Sequence, residues 1–232
     1  MQAGASHCGC QGLLLGGPWW GSQFFMESVI LLHMDTHFSL IRVPLLLALF
    51  LGVLFGFMDL ASSFFFVDLL NFPLYMDCIF TTAASFISPV SGVMAGIMVH
   101  VFRALFANDM NSLLFIICSV SIVPLVRMFV NRPAAVAFVP AFAMLVAAIT
   151  FVISIEGGII YNYLFNSVNY METSSTNALV FTFVIYGFPM LFSGILGRIP
   201  LTMVDKLFAC FAGYWIARFA VHIIPARYKG EI

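Results

Sequence analysis

Long stretches without a charged side chain constrain this chain more than any other feature. Residues 78–102, 133–155 and 173–197 contain no Asp, Glu, Lys or Arg. Each stretch exceeds the roughly 20 apolar residues that an α-helix needs to cross the hydrocarbon core of a bilayer. Because lipid offers no hydrogen-bond partners, a helix, which satisfies its backbone within one segment, is the favoured structure there. The pattern therefore predicts several membrane-spanning helices.

The composition supports the same class. Hydrophobic residues make up 62% of the 232 residues and charged residues only 8%, whereas a soluble domain carries about 25% charged residues. The formal charge of −1 gives no electrostatic basis for binding nucleic acid. Period-two alternation, typical of membrane barrels, is absent. We expect an all-α integral membrane protein, a compact bundle of about six transmembrane helices with one additional short, broken or re-entrant helix.

The beginning of the chain differs from the rest. The first 26 residues contain six glycines and no charged side chain, and they lack the basic leading region of a secretory signal peptide. We expect residues 1–38 to be a poorly ordered or dispensable extension and residues 39–232 to form a single transmembrane helical domain. Prolines and polar clusters divide that domain into apolar segments. These are roughly 43–67, 74–88, 90–107, 112–130, 134–156, 177–196 and 200–223.

Basic side chains near helix ends predict the orientation, because Lys and Arg collect on the cytoplasmic side. We predict six spans with both termini in the cytoplasm, which leaves only Arg103 and Arg198 outside, against this rule. A topology of seven spans fits the positions of the basic residues less well. Segment 177–196, which Gly187 and Pro189 interrupt, is then the one that does not cross. The chain is expected in the cell membrane as a multi-pass protein. The basic residues placed inside are Arg42, Arg127, Arg132, Arg218, Arg227 and Lys229.

Small residues recur every four positions in the first helix, as Ala48, Gly52 and Gly56. Such a stripe lets the backbone of another helix approach closely. Two interpretations stay open at this point. The stripe packs against the chain's own helices, or it docks a partner protein in the membrane.

Ionisable and amide side chains in apolar surroundings are the candidates for a ligand site, because they are costly in a membrane and usually face an interior or a cavity. Asp205 and Lys206 are adjacent, so we expect them to point apart and to seek separate partners. Asp77 or Glu156 is the expected partner of Lys206, and Asp77 has a second interpretation as a helix-start residue. The predicted ligand-binding residues are Asp77, Thr81, Asn162, Asn177, Asp205 and Lys206.

Two further aspartates, Asp59 and Asp68, come late in the first helix. We expect them simply to reach the membrane interface.

The chain carries no sequence motif of a known catalytic or metal centre. Its histidines form no HExxH motif, and it contains neither a Walker A nor a GxSxG sequence. The pair Cys8 and Cys10 lacks a second pair of ligands and is weak evidence for a metal. We expect a protein that is not an enzyme, has no catalytic residues and uses no cofactor or metal.

Several short motifs resemble the substrate-binding S components of energy-coupling-factor (ECF) transporters, a type of ABC transporter. The resemblance spans residues 40–225 and includes the order of the second and third helices. One difference is Ser88, which stands where that family usually has glycine. The matching motifs are Pro73 to Thr81 with Ala83 and Ala84, Pro89 to Gly96 with Gly92, Glu156-Gly157-Gly158, Val204 to Leu207, and Arg218.

The resemblance implies a function and partners. An S component captures a vitamin or similar micronutrient, and it works with a transmembrane coupling subunit and two cytoplasmic ATPases. In that family a small-residue stripe on the first helix, here Ala48, Gly52 and Gly56, docks the coupling subunit. The pocket would open outside, near the start of the second helix and the later loops. A vitamin, a nucleobase or a metal ion remains open as substrate.

Two other classes of function stay in competition with transport. A membrane-embedded sensor or scaffold would bind a ligand or a partner without moving it, and a related membrane module forms the sensor half of some signalling proteins. An intramembrane enzyme is disfavoured by the missing motifs.

Overall fold

The computed structural model describes residues 43–70, 76, 78–132, 137–168 and 175–223, without the side chains of 67–68, 165–168 and 175–177. The predicted extension, residues 1–38, and the predicted ligand residue Asp77 lie outside this part. The described residues are helical and include no strand, which confirms the all-α class.

The described chain forms seven α-helices and two short helices of other types. Helix α1 (Leu45–Ser63) continues into a π-helical turn (Phe64–Leu69), and a 3-10 turn (Met110–Phe115) leads into α4. The remaining helices are α2 (Ile79–Ile87), α3 (Pro89–Phe106), α4 (Ile116–Val130), α5 (Phe138–Val168), α6 (Ser175–Ile185) and α7 (Met190–Ile223).

Four helical stretches in this part of the chain are long and apolar enough to cross a membrane. They are Leu45–Phe66, Pro89–Phe106, Met110–Val130 and Phe138–Leu164. By contrast, α2 has 9 residues, about 14 Å of helix, which is well short of a hydrocarbon core about 30 Å thick. The chain is therefore an apolar helical protein of the membrane-embedded class, in which α2 cannot cross on its own.

The boundary predicted between the last two segments is wrong. The expected break at Arg198-Ile199-Pro200 lies inside α7, a helix of 34 residues that contains Pro200. Proline removes one backbone hydrogen bond, but helices packed in a membrane bundle tolerate it. The chain breaks instead at Gly187, whose φ of +88° favours a residue without a Cβ.

The predicted stripe on α1 faces α3 of the same chain. Ala48, Gly52 and Gly56 are buried. A Cβ on Gly52 would overlap the Cβ of Met94 and lie 2.9 Å from the carbonyl oxygen of Ser91. Helix α3 of the same chain thus fills the groove beside these small residues, which supports the intramolecular interpretation. The prediction that this face docks a coupling subunit is corrected accordingly.

Helix α2 forms the centre of the bundle. Apart from Phe80, all its residues are buried, and it packs against α1, α3, α4 and α7. The contact with α7 is close because a Cβ on Gly213 would lie 2.9 Å from the carbonyl oxygen of Ile79. Near the end of α2, the rings of Phe86 of α2 and Tyr214 of α7 also meet edge to face, with centroids 5.7 Å apart. The start of α2 is consequently fixed between α1 and α7.

Candidate functional site

The first polar cluster surrounds the start of α2. Cys78 occupies the N-cap position and provides no side-chain cap, so the first backbone N–H groups of α2 need another acceptor. The carboxylate of Asp59, on α1, accepts from the N–H of Phe80 at 2.7 Å and from the N–H of Thr81 at 2.6 Å. It also accepts from the Thr81 hydroxyl at 2.6 Å. Asp59 therefore acts as a cap supplied by a different helix.

The prediction that Asp59 simply reaches the membrane interface is wrong. Its side chain is fully buried, with 0% exposure. The N–H groups at a helix start carry a partial positive charge that favours an anion, and this offsets part of the cost of burying the carboxylate. The side chain of Asp68 lies outside the described part of the chain, so the same prediction for Asp68 stays a prediction.

Asp205 and Lys206 of α7 complete this cluster. The Lys206 ammonium lies 2.6 Å from Asp205 Oδ2 and donates to Cys78 Sγ at 2.7 Å. The other oxygen of Asp205 accepts from the N–H of Met76 at 2.9 Å. Adjacent residues diverge at Cβ, but the flexible four-carbon stem of lysine reaches back to its neighbour. The expectation that Asp205 and Lys206 point apart is thus wrong, although each also has a partner of its own, and the expected pair of Lys206 with Glu156 is not formed. The alternative pair with Asp77 lies outside the described residues.

Met76 shows how tightly the segment before α2 is held. Its φ is +48°, a region that side chains other than glycine rarely adopt. Its N–H is bound by Asp205, and its carbonyl accepts from the Ser62 hydroxyl at 2.9 Å. Bonds from α1 and α7 thus fix the strained residue from both sides.

The predicted ligand residues therefore divide into different environments. Thr81, Asp205 and Lys206 come together, but their polar groups bind other groups of the protein. Asn162 lies half-buried on α5, a helix that contributes no residue to this cluster. Asp77, and the side chain of Asn177, lie outside the described residues. The cluster at the start of α2 is consequently satisfied within the chain.

A second polar region lies where α5 crosses α7. Glycines on both helices allow a close approach, and a Cβ on Gly194 would lie 3.5 Å from the carbonyl oxygen of Gly158. A Cβ on Gly158 would lie 3.1 Å from the backbone nitrogen of Ile195. We call this region the α5–α7 crossing.

Several polar atoms on α5 and α7 are buried without a hydrogen-bond partner in the described structure. They include Thr150 Oγ1, Ser154 Oγ, Glu156 Oε2 and Arg198 Nε. Ser154 has 0% exposure and Thr150 has 4%. Buried polar atoms in proteins are nearly always paired, and an unpaired one costs about 1–3 kcal/mol. These four atoms are therefore the candidates for contacts beyond the described part of the chain.

Helical geometry places these groups on two sides of α5. Residues 150, 154, 157 and 161 recur at intervals of three or four and so share a face of α5. From α7, Arg198 Nη1 approaches this face, to 3.5 Å from the position of a Cβ on Gly157. Glu156 points away from this face toward α4, where its other oxygen accepts from the Ser121 hydroxyl at 2.7 Å.

Neither charge has an ionic partner in the part of the chain that is described. Glu156 and Arg198 form no ion pair there, although both are only partly exposed. Arg198 rests over the ring of Tyr161, with its guanidinium carbon 5.1 Å from the centroid. Within the described residues, Glu156 is thus held by the Ser121 hydroxyl and Arg198 by the ring of Tyr161.

Sequence reasoning did not identify this site. From the sequence, Glu156 is expected to pair with Lys206 and belongs to a motif of the resemblance, and Arg198 is an exception to the charge rule at an expected helix break. One signal was present, a Thr and a Ser one turn apart on the helix face that continues to Gly157. A second signal was Arg198, which directly follows Gly197 and lies one turn after Gly194.

The described residues contain no group of three or more His, Cys, Asp or Glu arranged to hold a metal ion. Buried His100 binds the hydroxyls of Ser112 and Ser119 through its two ring nitrogens, at 2.9 and 2.8 Å. It therefore joins α3 to the segment that follows.

Comparison with protein-family models, with curated proteins and with solved structures finds no match to this chain.

Proposed function

We propose that the chain is the substrate-capturing S subunit of an ECF-type importer and binds a small polar molecule, a vitamin or similar micronutrient, at the α5–α7 crossing. The resemblance of its motifs to S components supplies the class of transporter. The apolar helical bundle and its buried polar atoms support a role in binding a ligand within the membrane.

The observation that carries this proposal is the set of unpartnered atoms at Thr150, Ser154, Glu156 and Arg198. Polar and charged groups inside a membrane bundle are costly, and they commonly mark a substrate pathway or a binding site. Small-molecule sites combine apolar walls with a few convergent polar groups. A ligand that supplies the missing hydrogen bonds would recover the cost of burying these atoms.

The satisfied cluster at the start of α2 has a supporting role in this proposal. Asp59 and Asp205 fix the segment around Met76 between α1 and α7. A site is effective when rigid surrounding contacts hold its groups in place. This cluster would anchor α7, the helix that carries Arg198, against the core of the bundle.

The proposed partners are a transmembrane coupling subunit and two cytoplasmic ATPases. Because α3 fills the small-residue groove of α1, docking would use a different surface. The energy for uptake would come from the ATPases.

Co-expression tests the proposal directly. The tagged chain is produced with the coupling subunit and ATPases of an ECF importer from the same genome, and the complex is purified and assayed for uptake in vesicles. We expect co-purification and ATP-dependent uptake of the molecule that native mass spectrometry finds on the isolated chain. A retained ligand without co-purification or uptake would instead support the sensor interpretation.

A further inference from the structure

We infer that Cys78 and Lys206 form a modification site, at which mild oxidation by a peroxide joins Cys78 Sγ to Lys206 Nζ through a covalent sulfenamide bond. The crosslink would tie the start of α2 to the middle of α7. This inference goes beyond the proposed function and does not rest on it, because it concerns the cluster at the start of α2 and not the α5–α7 crossing.

The two reacting atoms are already in contact. Lys206 Nζ lies 2.7 Å from Cys78 Sγ, which is the short limit of an ordinary N–H···O hydrogen bond, although sulfur is a larger atom than oxygen. Cys78 is held in place because it begins α2, whose next residue, Ile79, packs closely against Gly213 of α7. Only a small displacement therefore separates the nitrogen and the sulfur from bonding distance.

Burial limits the reactions that compete with this one. Cys78 is 1% exposed and Lys206 is 5% exposed, so bulk water and dissolved thiols have little access to the sulfur. Hydrogen peroxide is small and uncharged, and it enters interiors from which larger or charged oxidants are excluded. The sulfenic acid that it forms on a thiol condenses with a second thiol to a disulfide or with a nitrogen to a sulfenamide. The nitrogen in contact with Cys78 is Lys206 Nζ.

The first step oxidises the sulfur. The Cys78 thiol attacks hydrogen peroxide, the O–O bond breaks, and the products are Cys78 sulfenic acid and one water molecule. Sulfur loses two electrons, which reduce the peroxide. The peroxide is the only oxidant that the whole sequence requires.

The second step forms the crosslink, and Asp205 is the base for it. An ammonium has no lone pair, so Lys206 gives up a proton before its nitrogen attacks the sulfur. Asp205 Oδ2 lies 2.6 Å from Nζ and accepts that proton. The S–N bond then forms, the S–O bond breaks, and the hydroxide leaves as water with a second proton from the nitrogen. The products are neutral, so the reaction also removes a buried ion pair, whose desolvation is costly.

Peptide mapping of the oxidised full chain tests the inference. The protein in lipid nanodiscs is treated with hydrogen peroxide, its remaining thiols are alkylated, and it is digested without reductant. We expect a crosslinked pair of peptides, containing Cys78 and Lys206, that is lighter than their sum by two hydrogen atoms. Dithiothreitol should separate them, since a thiol reduces the S–N bond. The assignment is clear because the chain has two lysines, Lys206 and Lys229.

Matched variants and a second measurement separate the crosslink from general oxidation. Lys206→Arg keeps the positive charge but replaces the amine with a guanidinium that stays protonated, so no crosslink should form. Cys118→Ser is the control, because Cys118 is another buried cysteine on α4, and it should leave the yield unchanged. Cys78 and Lys206 are 128 positions apart, and a bond that closes such a loop restricts the unfolded chain. Peroxide should therefore raise the thermal midpoint of the unmodified protein and of Cys118→Ser, but not that of Lys206→Arg.

Several outcomes would overturn the inference. One is a Cys78 peptide that is oxidised to sulfinic acid while the Lys206 peptide stays unmodified. Another is a disulfide of Cys78 with Cys210, which lies one turn after Lys206 on α7. A crosslink to Lys229, or a Cys78 thiol that stays intact when Cys118 is oxidised, would overturn it as well. If Lys206→Arg does not fold, the crosslinked peptides of the unmodified protein still decide the question.

Discussion

At the scale of single residues, the carboxylate of Asp59 replaces a local helix cap. It accepts three hydrogen bonds from Phe80 and Thr81, and thereby joins α1 to the first turn of α2. Because α2 has 9 residues, it has few internal bonds and depends on such outside contacts. We expect the bundle to be more sensitive to Asp59 than to any carboxylate at the surface.

Asp59→Ala should lower the thermal stability of the purified protein markedly. Each hydrogen bond to a charged group contributes about 1.5–3 kcal/mol, and the N–H groups of Phe80 and Thr81 would lose their acceptor. The measurement is the midpoint of thermal unfolding in detergent. Asp109→Asn is the control, since the Asp109 carboxylate accepts no hydrogen bond from a described residue, and it should have little effect. Equal midpoints for the two variants would contradict the capping role.

The ion pair of Asp205 and Lys206 calls for a double variant. Lys206→Met alone leaves a buried carboxylate without its cation, which costs about 3–5 kcal/mol in buried pairs. Asp205→Asn combined with Lys206→Met removes both charges, and we expect the thermal midpoint to recover in part. Single and double variants that lose equal stability would show that the pair is not coupled.

At the scale of elements, packing through small residues decides how the helices assemble. Gly52 and Gly56 of α1 face α3, Gly213 of α7 faces α2, and Gly96 of α3 faces Ser119 of α4. Each contact brings a helix within reach of the backbone or Cβ atoms of its neighbour. Backbone approach of this kind is how membrane helices gain packing energy without a hydrophobic driving force.

Gly52→Ala should destabilise the bundle even though it adds only one methyl group. The new Cβ would overlap that of Met94 and press on the Ser91 carbonyl oxygen, and overpacking costs about 1–3 kcal/mol. Val53→Leu, which enlarges the neighbouring side chain on the exposed side of α1, is the control. Monodisperse yield and the thermal midpoint are the measurements. A Gly52→Ala protein as stable as the control would reopen the docking interpretation of the stripe.

The class, most helices and the close-packed stripe on α1 could be predicted from the sequence, because these depend on local periodicity and composition. The sequence did not allow the partners of buried charges to be predicted. The acceptor for Thr81 is Asp59, on another helix, and nothing near either residue marks the contact. The rule that adjacent side chains diverge concerns Cβ directions, so it did not anticipate that Lys206 reaches Asp205. Arg198 reaches Gly157 of α5 only because α5 and α7 cross at glycines.

At the scale of the whole molecule, exposed apolar side chains cover the described helices. Phe50 is 65% exposed, Met144 71% and Phe211 58%, on α1, α5 and α7. In water such surfaces would be unfavourable, whereas in lipid they are the expected outer surface. The charged side chains of Asp59, Asp205 and Lys206 are instead buried. This arrangement, apolar outside and charged inside, is what a bilayer favours.

The orientation in that bilayer remains a prediction, and the two ends of α4 test it. The predicted six spans count segment 74–88, which contains the short helix α2, as a crossing. With both termini in the cytoplasm, Asn108 before α4 then lies outside, and Asn131 after it lies inside near Arg132. Both asparagines are exposed in the structure. In a background without the five native cysteines, a membrane-impermeant maleimide should label Asn108→Cys but not Asn131→Cys in intact cells. Both should react after permeabilisation, and Lys229→Cys should behave like Asn131→Cys. Labelling of Asn131→Cys alone would reverse the orientation of α4, as expected if segment 74–88 does not cross, and labelling of both in intact cells would show that α4 does not cross.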